Sequence, residues 1–194
     1  MTSIPGIYAS QISGHLWAPA GAYEPIGVAT APSAGVTSIT FGSIPATYTH
    51  LQIRFLAQSL RTSSDSGDFF LVRFNSDSGA NYNYGHQLLG NGATTASYAN
   101  GNNGTSIYIE RIQNNETLAS SFTAGVTDIL DYSNTNKYKT TRSLLGYSTN
   151  TAYGQVNFAS GLWMSSAAIS SISISLAYGP IAQYSSFALY GIKG

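Results

Sequence analysis

The chain has 194 residues, of which 43% are hydrophobic and 8% are charged, and its eight acidic and eight basic side chains give a net charge of zero. Nucleic-acid binding depends on clustered lysine and arginine that neutralise phosphates, so this composition argues against a nucleic-acid partner. The sequence contains no cysteine, which excludes disulfide bonds and thiolate metal sites.

The same composition favours a protein that packs within a larger assembly. Soluble domains contain about 25% charged residues, and a free monomer normally keeps its net charge away from zero to avoid association. The length suits one domain, or one domain with an extension. The first residues have neither the basic nor the continuous apolar part of an export signal, and no run of about 18 apolar residues predicts a membrane span. We therefore expect synthesis in a cytoplasm.

Residues 1–32 are predicted to form an extended N-terminal arm. They contain four of the six prolines, Pro5, Pro19, Pro25 and Pro32, which interrupt both helices and central strands. The apolar side chains of this segment are too numerous for a solvated tail, so the arm must pack either along its own domain or on a neighbouring subunit. The candidate docking residues are Ile4, Ile7, Tyr8, Ile12, Leu16 and Trp17.

Residues 33–194 are predicted to form one antiparallel β-sandwich. Apolar and polar residues alternate over residues 50–58, and residues 68–74 alternate with one wholly apolar face. Nine or ten such segments follow one another at spacings of roughly 10 to 15 residues, and no helical periodicity extends beyond about two turns. This pattern is typical of an all-β sandwich.

Two connecting segments have distinctive compositions. Residues 75–81 carry short polar side chains that bond their own backbone, so we expect a tight loop with Asp77 as an Asx-turn residue. Residues 82–89 are then expected to form a second strand. Residues 90–104 are rich in glycine, asparagine and threonine and have almost no apolar anchor, which predicts a long exposed loop.

Several segments carry a resemblance to a known family: FNSDSGANYNYGHQ in the centre, SITFGSIPATYTHLQIRF before it, and DYSNTNKYKT and AISSISISLAYGPIAQYSSFALYGIKG after it. With the opening IPGIYASQISGHL, they resemble a family of tailed-phage virion proteins over roughly the whole chain. The resemblance implies a jelly-roll-like β-sandwich on the virion, in a tail, fibre or capsid-decorating role. The partners that it implies are other virion proteins and further copies of the chain, as a homotrimer.

The sequence predicts neither a catalytic site nor a metal site. No two carboxylates have a spacing that places them across one cleft, as a glycosidase requires, and a G-x-S-x-G motif before a helix is missing. The three histidines, His15, His50 and His86, do not have zinc-ligand spacing. Residues 65–68 and 75–77 offer oxygen atoms, but not at the spacing of a calcium loop. We expect a non-enzymatic protein without a metal or cofactor.

Carbohydrate binding is the alternative function. Tyrosine rings are amphipathic and stack on sugar faces, and asparagine amides bond hydroxyl groups. The competing interpretation is that these rings lie in the core or at subunit interfaces, where tyrosine is also enriched. On a phage tail or fibre, the ligand would be a glycan of the host surface. The candidate glycan contacts are Asn81, Tyr82, Tyr84 and Tyr98.

Overall fold

The structure is a computed structural model that describes residues 22–62, 67–83, 85–92, 94–99, 101, 103–115, 120–149 and 154–193. Within these residues the chain forms thirteen β-strands and no helix. Their bounds are β1 Tyr23–Thr30, β2 Ser38–Phe41, β3 His50–Ala57, β4 Gly67–Phe74, β5 Tyr82–Asn83, β6 His86–Asn91, β7 Thr94–Ala99, β8 Ile107–Gln113, β9 Thr123–Ile129, β10 Lys139–Ser148, β11 Gly154–Trp163, β12 Ile172–Leu176 and β13 Ser186–Ile192.

The strands form two antiparallel sheets that pack on one another. The larger sheet has the order β1-β13-β3-β9-β10-β11-β6-β7, with β5 paired to β11, and the smaller sheet has the order β2-β12-β4-β8. This arrangement confirms the predicted antiparallel β-sandwich. In the larger sheet β9, β10 and β11 pair in sequence order as a meander, and the jelly-roll connectivity that the resemblance implies stays a prediction.

Alternating apolar residues of both sheets meet in one core. Leu51 and Ile53 of β3 and Phe70 and Phe74 of β4 are fully buried. Phe55 of the larger sheet stacks on Phe70 of the smaller sheet with 4.6 Å between the ring centroids. Burying a side chain of this size contributes about 1.5–3 kcal/mol to stability. The two layers are therefore held together by the inward side chains that the alternation predicted for residues 50–58 and 68–74.

The sandwich begins earlier in the chain than predicted. Residues 23–30, which the sequence assigned to the N-terminal arm, form β1 and pair with β13 at the edge of the larger sheet. The register shifts between Pro25 and Gly27, so a bulge accommodates the proline that argued against a strand, as edge strands allow. Residues 1–21, with the six candidate docking residues, lie outside the described part of the chain.

The predicted loop at residues 90–104 is wrong over its first half. Residues 86–91 and 94–99 form the β6–β7 hairpin, with the backbone pairs of His86 with Ala99 and of Asn91 with Thr94 at its two ends. Gly92 lies in the connection with a φ of 58°, the left-handed conformation that hairpin turns require. The hairpin is rich in glycine, asparagine, serine and threonine, so its sequence has the composition of a loop.

The predicted strand over residues 82–89 is interrupted at Gly85, which has a φ of 78°. A Cβ atom at this position would lie 1.6 Å from the carbonyl oxygen of Ser160, so only glycine allows β5 and β6 to approach β11 from the two sides of this break. As a result β5 pairs with one end of β11 and β6 with its middle.

Candidate functional site

Tyr82 is a core residue, so its prediction as a glycan contact is wrong. Its side chain is fully buried and stacks on Trp163 with ring centroids 6.2 Å apart. Its hydroxyl oxygen accepts a hydrogen bond from the backbone N–H of Phe74 at 3.0 Å. Burial raises the pKa of Tyr82 to about 12. No ligand on the surface can contact this ring.

Asp77 organises the loop at residues 75–81, as predicted. Its Oδ1 accepts a hydrogen bond from the backbone N–H of Gly79 at 2.9 Å, which is the Asx turn. Its Oδ2 accepts from Trp163 Nε1 at 2.8 Å and from Asn81 Nδ2 at 2.9 Å. These bonds, the one from Trp163 first, lower the pKa of Asp77. Asn81 is exposed, but its amide group is bonded within the loop rather than presented to a ligand.

Tyr98 is the predicted glycan contact that the structure places beside a cleft. It lies on β7 and its side chain is 53% exposed. Its strand neighbour is Gln87 of β6, and both side chains point to the same face of the hairpin because directly paired residues share a face. Tyr84 lies outside the described residues.

The inner face of the larger sheet changes from apolar to polar along its width. One row of directly paired residues starts in the hydrophobic core near β13 and ends at the hairpin. The polar residues of this row begin at Thr127 of β9 and Ser143 of β10, whose hydroxyl groups are hydrogen-bonded to each other. In order from β13 to β7 this row is Leu189, Ile53, Thr127, Ser143, Ala159, Gln87 and Tyr98.

A cleft of about 360 Å³ lies where this polar end of the larger sheet faces the edge of the smaller sheet. The β6–β7 hairpin and β11 form one wall, and β8 with its neighbour β4 forms the other. We call this feature the hairpin cleft. Its lining residues are Phe69, Gln87, Leu89, Tyr98, Glu110, Arg111 and Gln155.

A β-bulge directs Glu110 toward the interior. In the pairing of β4 with β8, Phe70 is opposite Glu110 and Leu71 is opposite Tyr108, so Ile109 is the extra residue. Glu110 has a φ of 128°, a strained conformation for a residue other than glycine that costs about 1–3 kcal/mol and is concentrated at functional sites. The bulge leaves Glu110 only 6% exposed, although strand alternation would place it outside.

The hairpin cleft contains polar atoms without protein partners. Glu110 Oε2, Gln87 Nε2 and Gln155 Oε1 are buried and make no hydrogen bond. Burial raises the pKa of the Glu110 carboxyl, while a backbone hydrogen bond from Arg111 and the positive charge of that residue oppose the rise. The carboxyl therefore holds its proton to a higher pH than an exposed glutamate does. The cleft can offer donors and acceptors to a ligand that reaches them.

The raised pKa of Glu110 predicts a pH dependence of stability. Because the folded-state pKa exceeds the unfolded value, its contribution is fully present below the unfolded pKa near 4.5 and is lost as the pH rises through the folded pKa. Glu110→Gln is neutral at every pH. We therefore expect the free energy of unfolding of the wild type, relative to this variant, to fall as the pH rises above 4.5, as measured by urea unfolding.

The matched control for this measurement is Glu24→Gln. The hydrogen bond from Lys193 lowers the pKa of Glu24, so the stability that this carboxylate contributes is present above its unfolded pKa and is lost as the pH falls through the folded pKa. The wild type should therefore gain stability relative to Glu24→Gln over the same rise in pH. If the free energies of unfolding of the wild type and Glu110→Gln change with pH in the same way, the pKa of Glu110 is not raised.

Sequence reasoning missed the residues that form the cleft with Tyr98. One signal was available for Glu110: Ile107 and Ile109 are two residues apart, whereas Ile109 and Ile112 are three apart, so a strand that buries all three isoleucines needs a bulge between the last two. Gln87 and Gln155 have no comparable signal, since a glutamine in an alternating strand predicts an outward side chain.

A second feature lies on the outer face of the larger sheet, which presents apolar residues to the surface. The exposed fractions of Val28, Leu88, Leu144 and Phe158 are 71%, 54%, 49% and 51%. These residues belong to one row of directly paired positions that crosses seven strands. In order the row is Val28, Ala188, Arg54, Val126, Leu144, Phe158 and Leu88.

A second row of outward-facing residues, two positions along each strand from the first row, extends this apolar surface. It contains Leu56 and Val156, which are 51% and 60% exposed, with Ala124 paired to Leu56. A shallow cavity of about 580 Å³ lies over the part of these rows that is formed by β1, β13, β3 and β9. We call the apolar residues of these two rows together the apolar band.

A polar row borders the apolar band on its other side. Gln52 Nε2 donates to Asp128 Oδ1 at 2.7 Å, and Arg142 Nε donates to Asp128 Oδ2 at 2.9 Å. Arg54 Nε donates to Gln52 Oε1 at 2.7 Å, and its guanidinium group lies 5.0 Å from the centroid of the Tyr190 ring. The outer face thus combines an apolar band with charges of both signs.

Asp68, which the sequence allowed as an oxygen ligand, is instead bonded within the fold. It is fully buried, and its carboxylate accepts hydrogen bonds from the Ser59 hydroxyl and from the backbone N–H groups of Tyr178 and Gly179. Among the residues that the structure describes, no three His, Cys, Asp or Glu side chains are grouped to hold a metal ion. The same residues include no helix that is long and apolar enough to cross a membrane.

No protein-family model and no curated protein sequence matches this chain.

Proposed function

We propose that this chain is a non-enzymatic structural component of a bacteriophage particle, a tail, fibre or head-decoration protein that is made in the host cytoplasm and carried on the virion. The sequence resemblance supplies the phage context, and the apolar band supports a role in assembly. Exposed apolar patches larger than a few hundred Å² mark interaction sites. Labelling the protein in images of purified particles tests its location, and particles that lack it would contradict the proposal.

A second copy of the chain is the partner that best fits the apolar band. The band spans seven strands, roughly 29 Å, and its two rows cover roughly 13 Å along the strands. Its projected area of about 400 Å² is about half of the 800 Å² that each partner buries in a typical stable interface. The band would therefore form the apolar centre of such an interface, and the polar residues around it would form the rim.

The charges beside the band also favour a contact between copies. Asp128 and Arg142 are neighbours in the polar row, so a copy turned by a two-fold rotation would present the opposite sign to each. The zero net charge of the chain leaves little long-range repulsion between copies. The resemblance implies a trimer. The sedimentation experiment below measures the number of copies directly.

Self-association should depend on Phe158. We expect the wild type to be an oligomer and Phe158→Lys to weaken the association by at least about 2 kcal/mol, or about 30-fold, because an exposed aromatic residue of the band is replaced by a charge that must be desolvated. Sedimentation velocity over a range of concentrations measures both proteins. Tyr138→Lys is the matched control, since Tyr138 is similarly exposed at 55% but lies in the β9–β10 connection. A wild type that is monomeric at every concentration would contradict the proposal.

Carbohydrate recognition is the second candidate function. It is favoured by the position of Tyr98 beside a cleft whose buried amide and carboxyl groups lack protein partners. On a virion the two functions are compatible, since the assembly would present the cleft to a glycan of the host surface.

A further inference from the structure

The hairpin cleft has the construction of a ligand site rather than of a packing defect. Gln87 and Glu110 line it, and each is only 6% exposed. Gln87 Nε2 and Glu110 Oε2 are buried without a hydrogen-bond partner, as is Gln155 Oε1. Each buried polar atom left without a partner is destabilising. Three residues on three different strands thus line one cavity and each carry such an atom, which is the pattern expected of a site whose hydrogen-bonding partners come from a ligand.

The chemistry of these atoms selects a hydroxylated ligand. The Gln87 amide nitrogen is a donor, the Gln155 amide oxygen is an acceptor, and the Glu110 carboxyl accepts or, when protonated, donates. A hydroxyl group both donates and accepts, so neighbouring hydroxyl groups on one ligand can satisfy all three. An apolar ligand would leave these three polar groups without hydrogen bonds, so its binding would not remove the free-energy cost of burying them.

The charged groups of the cleft favour a ligand without net charge. When the Glu110 carboxyl is ionised it would repel an anion, because its burial leaves that charge unscreened by solvent. A metal cation would find one carboxyl group and two amides, fewer oxygen ligands than a calcium ion takes. Arg111 lies beside the cleft, but its guanidinium group stacks over the Phe69 ring at 4.9 Å from the centroid, which positions it as part of the wall.

The apolar parts of the cleft fit the face of a sugar ring. Tyr98 is 53% exposed and presents its ring at the mouth, and Leu89 and Phe69 line the cavity. A pyranose ring has a polar edge and an apolar face, which match a wall of polar groups and an aromatic ring respectively. The volume of 360 Å³ is at the lower end of the range for small-molecule sites, so it suits a small ligand.

We propose that the hairpin cleft binds a neutral pyranose ring, with Gln87, Glu110 and Gln155 bonding its hydroxyl groups and Tyr98 packing against its face. This inference rests on the carbohydrate-binding function and is independent of the self-association through the apolar band. The bulge at Glu110 has a role in this site, since it turns the carboxyl into the cleft.

The test measures sugar binding by the full chain. Saturation-transfer NMR titrations use methyl glucopyranoside, methyl galactopyranoside, methyl mannopyranoside and N-acetylglucosamine, with glucuronate as the anionic control, and an array of bacterial surface glycans covers extended ligands. We expect saturable binding of at least one neutral sugar with a Kd of about 1 mM, and weaker or no binding of glucuronate. Tyr98→Ala should weaken binding by about tenfold, and Gln87→Leu should remove it.

A control variant and a second measurement separate a failure of sugar binding from a failure of assembly. Tyr138→Ala removes a tyrosine of matched exposure outside the cleft and should bind like the wild type. Since Tyr98 lies at the surface, Tyr98→Ala is expected to fold, and it decides the result when Gln87→Leu does not fold. A blank array together with no saturable sugar, or equal binding by the wild type and Tyr98→Ala, would overturn the inference. Sedimentation of the same samples reports the assembly separately, so either proposal can fail alone.

Discussion

Trp163→Ala is expected to lower the free energy of unfolding by about 3–5 kcal/mol, the range for removing a buried tryptophan side chain. Trp163 is 2% exposed, and its ring packs against those of Phe74 and Tyr82, with centroid distances of 5.6 and 6.2 Å. Its Nε1 donates to Asp77 Oδ2, so the substitution removes both a core ring and a bond that holds the loop at residues 75–81.

Urea unfolding followed by far-UV circular dichroism measures this effect without depending on tryptophan fluorescence. Trp163→Phe is the matched variant, because it keeps an aromatic ring and removes only the N–H donor and part of the volume. We expect its loss of stability to be about 1–3 kcal/mol. If Trp163→Ala unfolds at the same urea concentration as the wild type, the loop and the core are not coupled through this residue.

Asp68→Ala should produce the second large loss, about 3–5 kcal/mol, because it leaves several buried donors without an acceptor. Ser59 Oγ and the N–H of Gly179 donate to Asp68 Oδ2 at 2.7 and 2.9 Å, and the N–H of Tyr178 donates to Oδ1 at 3.1 Å. The carboxylate thus connects β4 to the segments on either side of it, which lie 9 and about 110 residues away in sequence.

The control for Asp68 is a carboxylate at the surface. Asp131 forms an exposed ion pair with Lys137, and surface pairs of this kind contribute little to stability because solvent screens them. Asp131→Asn should therefore leave the urea midpoint nearly unchanged. A similar midpoint for Asp68→Ala and Asp131→Asn would show that the buried hydrogen bonds of Asp68 are replaced by other contacts.

The candidate site could be predicted only in part. Tyr98 was identified because tyrosine rings stack on sugar faces and asparagine-rich segments supply amide donors and acceptors. Tyr82 has the same sequence environment, yet it is buried because β5 pairs with the end of β11 and places its ring on Trp163. Composition cannot distinguish these two tyrosines, since what separates them is the position of their strands relative to the smaller sheet.

The apolar band likewise could not be predicted from the sequence. Leu144 and Phe158 alternate with buried residues in their own strands, and each of these strands by itself mixes polar and apolar residues on both faces. Only the register of the seven strands shows that their outward apolar residues lie in one row, which Arg54 interrupts. Pairing between distant segments depends on long-range contacts, which no local pattern specifies.

The alternation of apolar and polar residues was enough to predict an all-β antiparallel fold, because each strand must bury one face and the period of two indicates which residues that face contains. The pairing of the strands into two sheets is what makes it a sandwich. Tertiary structure alone decided where a binding site could form. The hairpin cleft brings together residues 87, 98, 110 and 155, and it exists because one sheet is wider than the other and because a bulge turns Glu110 inward. Both causes depend on how strands distant in sequence pair.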